Sequence, residues 1–539
     1  MYLLFPGRHQ LLTNFQFNYL YRIAQAGVAH EPDVNGKSLG PGFGQIEAII
    51  FAVTSANHSH TRRNPLPFHL RVLQLEDFSD ELPVPSYIFG IDEVGMLDNF
   101  AGYTLKRIRH ESEGMFDLTP ANTLVVCSTP VMHMYEKLGF RILPAELLNR
   151  QLQTWVTGLP WDLVERIAGS DTNWLTDRHV LEHMHPASYS VWKKYRLGAK
   201  IQMLFRDRII SDDGDITTTR DYNSYVRQMD EIADLKYQET APYVRPGRIG
   251  DIGCAVGSWI RLACREPLLQ ESDFYGIEVA RHLFDVCQQR KHNGEFGNPF
   301  VFFAQKNAVT GLVFEKNSMH TINTSSLTHE IESYGNRAHL LAFIRNRYEE
   351  LSLGGIWINR DVVGPDTPDA EIVMELATTD GRNDDWEQDF TDRQQLSVYL
   401  QGLSTYTRFL RFARDFRKKE GDGIEFQLLS TEKYPTLTGR AVRLLLQEAM
   451  EFVLKKDYTD NWQSEMHEKF CFWTYADWVV AIEEAGFHLM PQSNAYRNEW
   501  IVSNRLAGKV AFHRQADTIL QPVAFPVTHL LLLAEKRVL

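Results

Sequence analysis

Arg248-Ile-Gly-Asp-Ile-Gly-Cys-Ala-Val-Gly-Ser-Trp259 is the stretch on which the reading of this chain turns. Ile249 to Ile252 make a short apolar run carrying Asp251, the pattern of a buried strand whose end is acidic. Gly253 and Gly257 then mark a tight turn, where the backbone takes positive φ or approaches a ligand closely. From Trp259 to Arg265 the apolar residues fall at helical spacing. Strand, glycine turn and helix in that order open the nucleotide-binding half of a doubly wound sheet, with the helix N-terminal amides facing the ligand. The spacing is not Gly-x-Gly-x-x-Gly, which argues against a dinucleotide.

Working outward, Phe274-Tyr-Gly-Ile-Glu278 reads as a second strand ending in an acid. That acid stands about 20 residues past the turn, where one carboxylate can take both hydroxyls of a ribose. The stretch Val301 to Ala308 supplies a third strand with a polar residue after it, and Met319 to Gly335 reads as a fourth strand running into a polar loop. Gly354-Gly355 precede a fifth strand, Ile356 to Asp361, and Val527 to Lys536 reads as a last one. This ordered set resembles the class I S-adenosylmethionine-dependent methyltransferases. The resemblance implies S-adenosylmethionine as cofactor, held by Asp251, Gly253, Cys254, Ala255, Gly257 and Glu278. It places Asn307 at the adenine, with Ala308 and Ser325 also on the cofactor, and makes the terminal strand antiparallel.

In that family the loop after the fourth strand faces the methyl acceptor, and here it holds Thr328-His329-Glu330. His329 is the candidate general base near neutral pH, with Glu330 orienting it or binding an acceptor hydroxyl. The alternative is a His–Glu contact that only supports the loop. No Asn-Pro-Pro-Tyr motif of amino-group methylation is present, which favours an oxygen acceptor. Tyr222 and Tyr225, on an amphipathic stretch ahead of the motif, either touch the cofactor or fill the core.

The N-terminal part alternates strand and helix patterns: Tyr2–Phe5, a helix from Asn14, Ile46–Val53, Tyr87–Asp92, Thr123–Thr129, a helix over 130–138 and Gly139–Leu143. Such alternation predicts a parallel sheet with crossover helices. Gly7-Arg8 with Gln10, the loop Ser55-Ala-Asn-His-Ser-His-Thr-Arg-Arg-Asn-Pro65, and Ser128 to Gly139 resemble the nucleotidyltransferase superfamily. The archaeal-type nicotinamide-nucleotide adenylyltransferases are the most similar branch, over about residues 1 to 165. The resemblance implies ATP with Mg2+ bound by Gly7, Arg8, His9, His58, His60, Arg62 and Arg63, and catalysis by positioning and charge stabilisation at the phosphates. The family's His-x-Gly-His element is Thr13-Asn-Phe-Gln16 here. Either His9 and the His58/His60 loop compensate, or the domain binds a nucleotide without transferring it.

A chain of 539 residues exceeds what one core usually supports. The expected class is α/β, with two doubly wound Rossmann-like parallel-sheet domains, residues 1–182 and 188–539, joined by a linker at 183–187. The interval 378–470 is too long for a connection within a sheet and reads as a helical insertion or lid. Within it, Arg408 to Lys419 sets arginines against phenylalanines; the stripe either holds RNA phosphates or is a face paired with acids. A formal net charge of −13 argues against wholesale coating of nucleic acid or anionic membrane. The five cysteines form no Cys-x-x-Cys pair, so neither a disulfide framework nor a metal site is expected, and reduced thiols point to the cytoplasm. The N-terminus lacks a signal-peptide pattern, and no apolar run reaches the roughly 20 residues that span a bilayer. Together these predict a methyltransferase acting on a small-molecule or nucleotide-linked acceptor, fused to a nucleotidyltransferase-like domain in one bifunctional chain. The alternative is an RNA-directed methyltransferase with a catalytically dead nucleotide-binding or docking domain at its N-terminus.

Overall fold

The apolar runs of the N-terminal part become parallel strands joined by right-sized helices. In the computed structural model, residues 1–539 are described apart from 41–42, 95–97, 130, 171–172, 207–221, 431–433, 435–436, 517–518 and 538–539. The side chains of residues 222–228 and 516 also lie outside the description, so the readings of Tyr222 and Tyr225 fall there. The chain divides into two units, one on each side of residues 209–215.

The first unit begins β1 (Tyr2–Gly7), α1 (Asn14–Ala26), β2 (Ala48–Thr54), α2 (Phe68–Ser79), β3 (Ser86–Ile91), α3 (Phe100–Glu111), β4 (Thr123–Val126), α4 (Met132–Lys137) and β5 (Ile142–Leu143). The five strands are parallel in the order β3-β2-β1-β4-β5. Separate apolar clusters, around Leu3, Ile49 and Phe78 and around Leu4, Ile50 and Ile108, contain alternate residues of the same strands. That is why β1 and β2 read as unbroken apolar runs. A small hairpin, β6 (Leu147–Asn149) with β7 (Thr154–Trp155), follows.

Four helices close this unit: α5 (Pro160–Gly169), α6 (Arg178–His183), α7 (Pro186–Lys194) and α8 (Leu197–Arg206). The predicted linker at 183–187 is therefore the end of one helix and the start of the next. Trp192, Leu197 and Ile201 are buried with Leu11, Leu66 and Leu163, so α7 and α8 belong to the first unit's core. The first unit therefore extends past the boundary expected at 183–187, and burial of Trp192 is what carries it there.

The second unit starts with α9 (Tyr222–Thr240), β8 (Arg248–Ile252), α10 (Ser258–Ala263), β9 (Asp273–Glu278), α11 (Arg281–His292), β10 (Val301–Gln305), β11 (Met319–Ser325), α12 (Thr328–Tyr334), α13 (Arg337–Glu350) and β12 (Leu351–Val362). It continues with β13 (Glu371–Leu376), α14 (Arg393–Gln401), α15 (Thr405–Asp415), β14 (Gln427–Leu429), β15 (Arg440–Leu445), α16 (Leu446–Lys455), α17 (Trp462–Glu465) and α18 (Tyr475–Glu484). It ends with β16 (His488–Leu489), β17 (Asn494–Tyr496), β18 (Val510–Ala516), β19 (Ile519–Val523) and β20 (His529–Glu535). The main sheet runs β10-β9-β8-β11-β12-β20-β16, with β17 also on β20. The strands from β10 to β12 are parallel, and β20 is antiparallel between β12 and β16. This is the doubly wound sheet with a reversed terminal strand that the sequence predicts.

The insertion differs from its expectation. It is not purely helical: β14-β15-β13-β18-β19 form a second, antiparallel sheet, whose helices share a core around Phe409, Phe412, Phe452 and Trp462. Its strands come from three separated stretches, so their pairing is non-local and leaves no local pattern. The basic stripe is a paired face. Arg411 and Arg414 both reach Asp389 and Asp415, Arg417 reaches Asp422, and Arg408 binds backbone carbonyls and lies 3.4 Å from Asp457. Among the described residues no helix is long and apolar enough to cross a membrane.

Candidate functional site

The turn after β8 is built from alternating backbone conformations. Gly253 (φ 70°), Ala255 (φ 48°) and Gly257 (φ 74°) all take positive φ. A Cβ on Gly257 would meet the Phe296 and Phe303 rings at 3.1 Å, so the turn is confined sterically as well as by φ. The amides of Gly253 and Cys254 donate to the carbonyl of Ile277 at the end of β9. That tie brings Glu278, the next residue, against the turn. One Glu278 oxygen accepts from Ala255 N (2.9 Å); the other accepts from Val279 N and Ala280 N (2.8 Å each).

An open cleft of about 850 Å³ lies over these strand ends, lined among others by Lys236, Asp251, Ala255, Glu278, Asn323 and Glu330. A second hollow of about 520 Å³, lined by Asn307, Ala308, Val309, Ile331 and Tyr334, shares Gly253, Val279, Leu327 and Glu330 with the first. Both open at the carboxyl ends of the parallel strands, where sheets of this kind bind their ligands. The structure thus brings together all nine residues read as cofactor-binding: Asp251, Gly253, Cys254, Ala255, Gly257, Glu278 and Ser325 at or beside the first cavity, Asn307 and Ala308 at the second. The Asn307 Oδ1 accepts from Val309 N at 2.9 Å, which holds its side chain within the loop.

The electrostatics of the cleft are unusual. Burial pushes the Asp251 carboxyl up to about 7, against a 2.8 Å hydrogen bond from Asn323 Nδ2 and the charge of Lys236. Burial likewise pushes Glu278 up to about 7, opposed by its three amide donors and reinforced by the charge of Glu330. Lys236 is drawn down to about 8 by burial and by the Arg360 charge, with Asp361, Asp251 and Glu330 pulling the other way. Among the described residues, Asn323 Oδ1 and Ser325 Oγ are buried atoms of cleft-lining side chains with no hydrogen-bond partner. Buried polar atoms left unpaired are costly, so both are suited to a bound ligand.

The α9 helix roofs the cleft because its acids and hydroxyls are tied down. Asp230 accepts from Arg290 (2.6 Å) and pairs with Arg261, and Trp259 Nε1 donates to Thr240 Oγ1 at 2.8 Å. Lys236 on this helix, Asn323 on β11 and Asp361 at the end of β12 were not picked out from the sequence. Of these, only Asp361 had a local signal, an acid closing a strand.

His329 does not occupy the place expected of a general base. Its Nδ1 lies 2.6 Å from Asp361 Oδ1 and its Nε2 3.5 Å from Glu468 Oε2, with the Phe470 ring edge-on at 4.7 Å. Burial alone would lower its pKa, but Asp361 and Glu468 overcome it and hold the ring well above the usual range. Both ring nitrogens thus face carboxylates of the protein itself. His329 lines neither cavity and makes a contact that supports the loop, whereas Glu330 lines both.

The N-terminal candidates fare differently. After the Gly7-Arg8 turn, α1 starts at Asn14, and Thr13 and Gln16 cap it reciprocally. Gln16 also donates to Glu146 at 2.6 Å. His9 is buried, its Nε2 3.2 Å from the Phe5 carbonyl and its ring against Phe5 and Phe51; burial lowers its pKa to about 4. His58 is buried 3.1 Å from Glu93. The loop is organised by fully buried Arg71, which donates to the carbonyls of Arg8, Thr54, Ser55 and His58. Arg8 donates to the Arg63 carbonyl at 2.7 Å. His60 and Arg63 are exposed and Arg62 half-buried at the same strand end. The set is thus one locus in space, but His9 and His58 are turned into the protein.

No protein-family model matches this sequence, and no curated protein matches it. Similar solved structures include the YcgJ protein of Bacillus subtilis, 14% identical, covering 57% of this chain and 99% of that one, with a TM-score of 0.29. They also include a TehB-like SAM-dependent methyltransferase of Corynebacterium glutamicum (10%; 59% and 98%; TM-score 0.27). A SAM-dependent methyltransferase of Methanosarcina mazei is comparable (12%; 56% and 99%; TM-score 0.27). At these TM-scores the likenesses carry no argument, and the fold stands on strand order and register.

Proposed function

We propose that the second unit binds S-adenosylmethionine in the paired cavities and transfers its methyl group to an acceptor that enters beside Glu330. The observation that carries this reading is Glu278, fixed by three backbone amides at the end of β9 against the Gly253–Gly257 turn. A carboxylate so placed accepts the two hydroxyls of a ribose, and the hollow at Asn307 and Ala308 takes the base. Lys236 supplies positive charge for a carboxylate within the same cleft.

In the transfer, a lone pair of the acceptor forms the new bond to the methyl carbon as the carbon–sulfur bond breaks and a neutral thioether leaves. The sulfonium is already reactive, so the protein's task is alignment. A hydroxyl acceptor must also lose its proton, and Glu330 is the cavity-facing carboxylate that can accept it. The acceptor is proposed to be a small or nucleotide-linked molecule; the basic stripe that suggested RNA is neutralised by Asp389, Asp415 and Asp422.

For the first unit we propose nucleotide binding without transfer. His60, Arg62 and Arg63 offer donors to ATP with Mg2+ at the end of β2, while Thr13 and Gln16 are committed to capping α1. Calorimetry of the full chain with S-adenosylmethionine tests the main reading. An affinity unchanged by Glu278→Ala would overturn it.

A further inference from the structure

We propose that His329, Glu330 and Glu468 form a site for one divalent metal ion, with Asp361 orienting the histidine. One donor atom from each of the three side chains, a ring nitrogen and two carboxylate oxygens, lies within 4.8 Å of the others. The three donors come from distant parts of the chain: two from the first turn of α12, the third from the segment between α17 and α18. Glu468 is 1% exposed and His329 5%, so the convergence is internal and not a cluster of solvated acids.

The two sides of the imidazole differ in a way that a simple ion pair does not explain. On the Nδ1 side the Asp361 oxygen is at 2.6 Å, a short charge-assisted hydrogen bond. On the Nε2 side the Glu468 oxygen is at 3.5 Å, long for such a bond. With metal–ligand distances of about 2.1 Å, two ligands of a tetrahedral ion stand about 3.4 Å apart. The spacing on the Nε2 side is therefore that of two ligands sharing an ion.

Asp361 completes the pattern. A metal-binding histidine usually gives its other N–H to a carboxylate, which fixes the tautomer and turns the free lone pair to the metal. Asp361 is itself held: its Oδ2 accepts from Thr328 N (2.7 Å) and Thr328 Oγ1 (2.5 Å), and its Oδ1 from Val362 N (2.8 Å). The donor set of one imidazole and two carboxylates suits Mn2+, Fe2+ or Zn2+ better than a thiolate-seeking ion. Tyr334 Oη, 3.2 Å from Glu468 Oε1, fixes the third ligand in the same way. Because Glu330 also lines both cavities, the open positions of the ion face the ligand space. There it would bind an oxygen and act as a Lewis acid. No metal is expected from the amino acids alone, since the motif contains no cysteine and its third ligand is remote.

The test is direct metal binding by the full chain, independent of any methyl transfer. Protein stripped with a chelator is titrated with Mn2+ and with Zn2+ by calorimetry, and Mn2+ is followed by electron paramagnetic resonance. One equivalent bound at micromolar affinity or tighter is expected. Glu330→Gln and Glu468→Gln should each weaken it at least tenfold, and Asp361→Asn about 10- to 100-fold. No saturable uptake at 100 times a micromolar Kd, or uptake unchanged in both glutamine variants, would overturn the site. If the buried Glu468→Gln does not fold, Glu330→Gln, on the cavity side, decides by the same criterion.

Discussion

The two parallel sheets share a strand order and differ in what stands at their carboxyl ends. In the first, β3-β2-β1-β4-β5, the polar groups above the strands are spent on the protein itself. Arg71 takes four loop carbonyls, His9 packs between phenylalanines, and Thr13 and Gln16 cap the helix. In the second, the corresponding β10-β9-β8-β11-β12 carries two buried acids raised to about 7 and two atoms of cavity-lining residues without partners among the described residues. A doubly wound sheet supplies the crevice; whether the crevice becomes a site depends on which polar groups the fold leaves for a ligand.

The comparison breaks most visibly in stability. Arg71→Met should unfold the first unit preferentially, since four carbonyls lose their donor; the cost is about 3 kcal/mol or more. Denaturant melts followed by hydrogen exchange in each unit would show it, and equal loss of protection in both units would mean that Arg71 is not confined to organising the first.

Next in size is the cofactor. Glu278→Ala should weaken S-adenosylmethionine by about 10- to 100-fold, the worth of a charge-assisted hydrogen bond of about 1.5–3 kcal/mol. Calorimetry reads this directly, and ATP binding by the first unit should be untouched.

The raised acids predict two pH effects of opposite sign. Glu278 in the folded protein holds its proton to about 7, above its ordinary 4.5, and Asp251 to about 7, above 3.8. Their contribution to stability is complete below those ordinary values and is lost as pH rises through 7. His9, lowered from 6.5 to about 4, stabilises the first unit above 6.5 and loses that contribution as pH falls through 4. Acid therefore favours the second unit and disfavours the first through these groups, and Glu278→Gln should flatten the second unit's profile between pH 4.5 and 7. Binding runs the other way: S-adenosylmethionine affinity should fall by about tenfold per pH unit below 7 as Glu278 takes up its proton. Calorimetry from pH 6 to 8 with the wild type and Glu278→Gln checks both signs.

The smallest effect belongs to the exposed and half-buried charges of the first unit. Replacing Arg62 and Arg63 together by alanine should weaken ATP with Mg2+ no more than about fivefold, because exposed ion pairs are worth about 1 kcal/mol or less. A much larger loss, or pyrophosphate release from ATP with a mononucleotide, would restore the first unit as a working transferase.

The glycine turn, the acid at the end of β9 and the alternation of strands with helices were legible in the amino acids alone. Each is local: positive φ demands glycine or a tolerated small residue, and a strand's end follows from its apolar run. Hence Asp251, Gly253, Gly257 and Glu278 could be placed on one site before any coordinates. The partners of His329 could not. Asp361 reaches it by strand register and Glu468 across an inserted sheet, and no periodicity records either distance. The arginines of α15 meet Asp415 within their own helix, but Asp389, in the loop before α14, reaches Arg411 and Arg414 only through packing. Likewise, Trp192 decided the unit boundary by burial against residues far back in the chain. Short-range geometry is written in neighbouring residues, whereas the protonation, pairing and coordination of buried groups depend on which distant side chains the packed core brings against them.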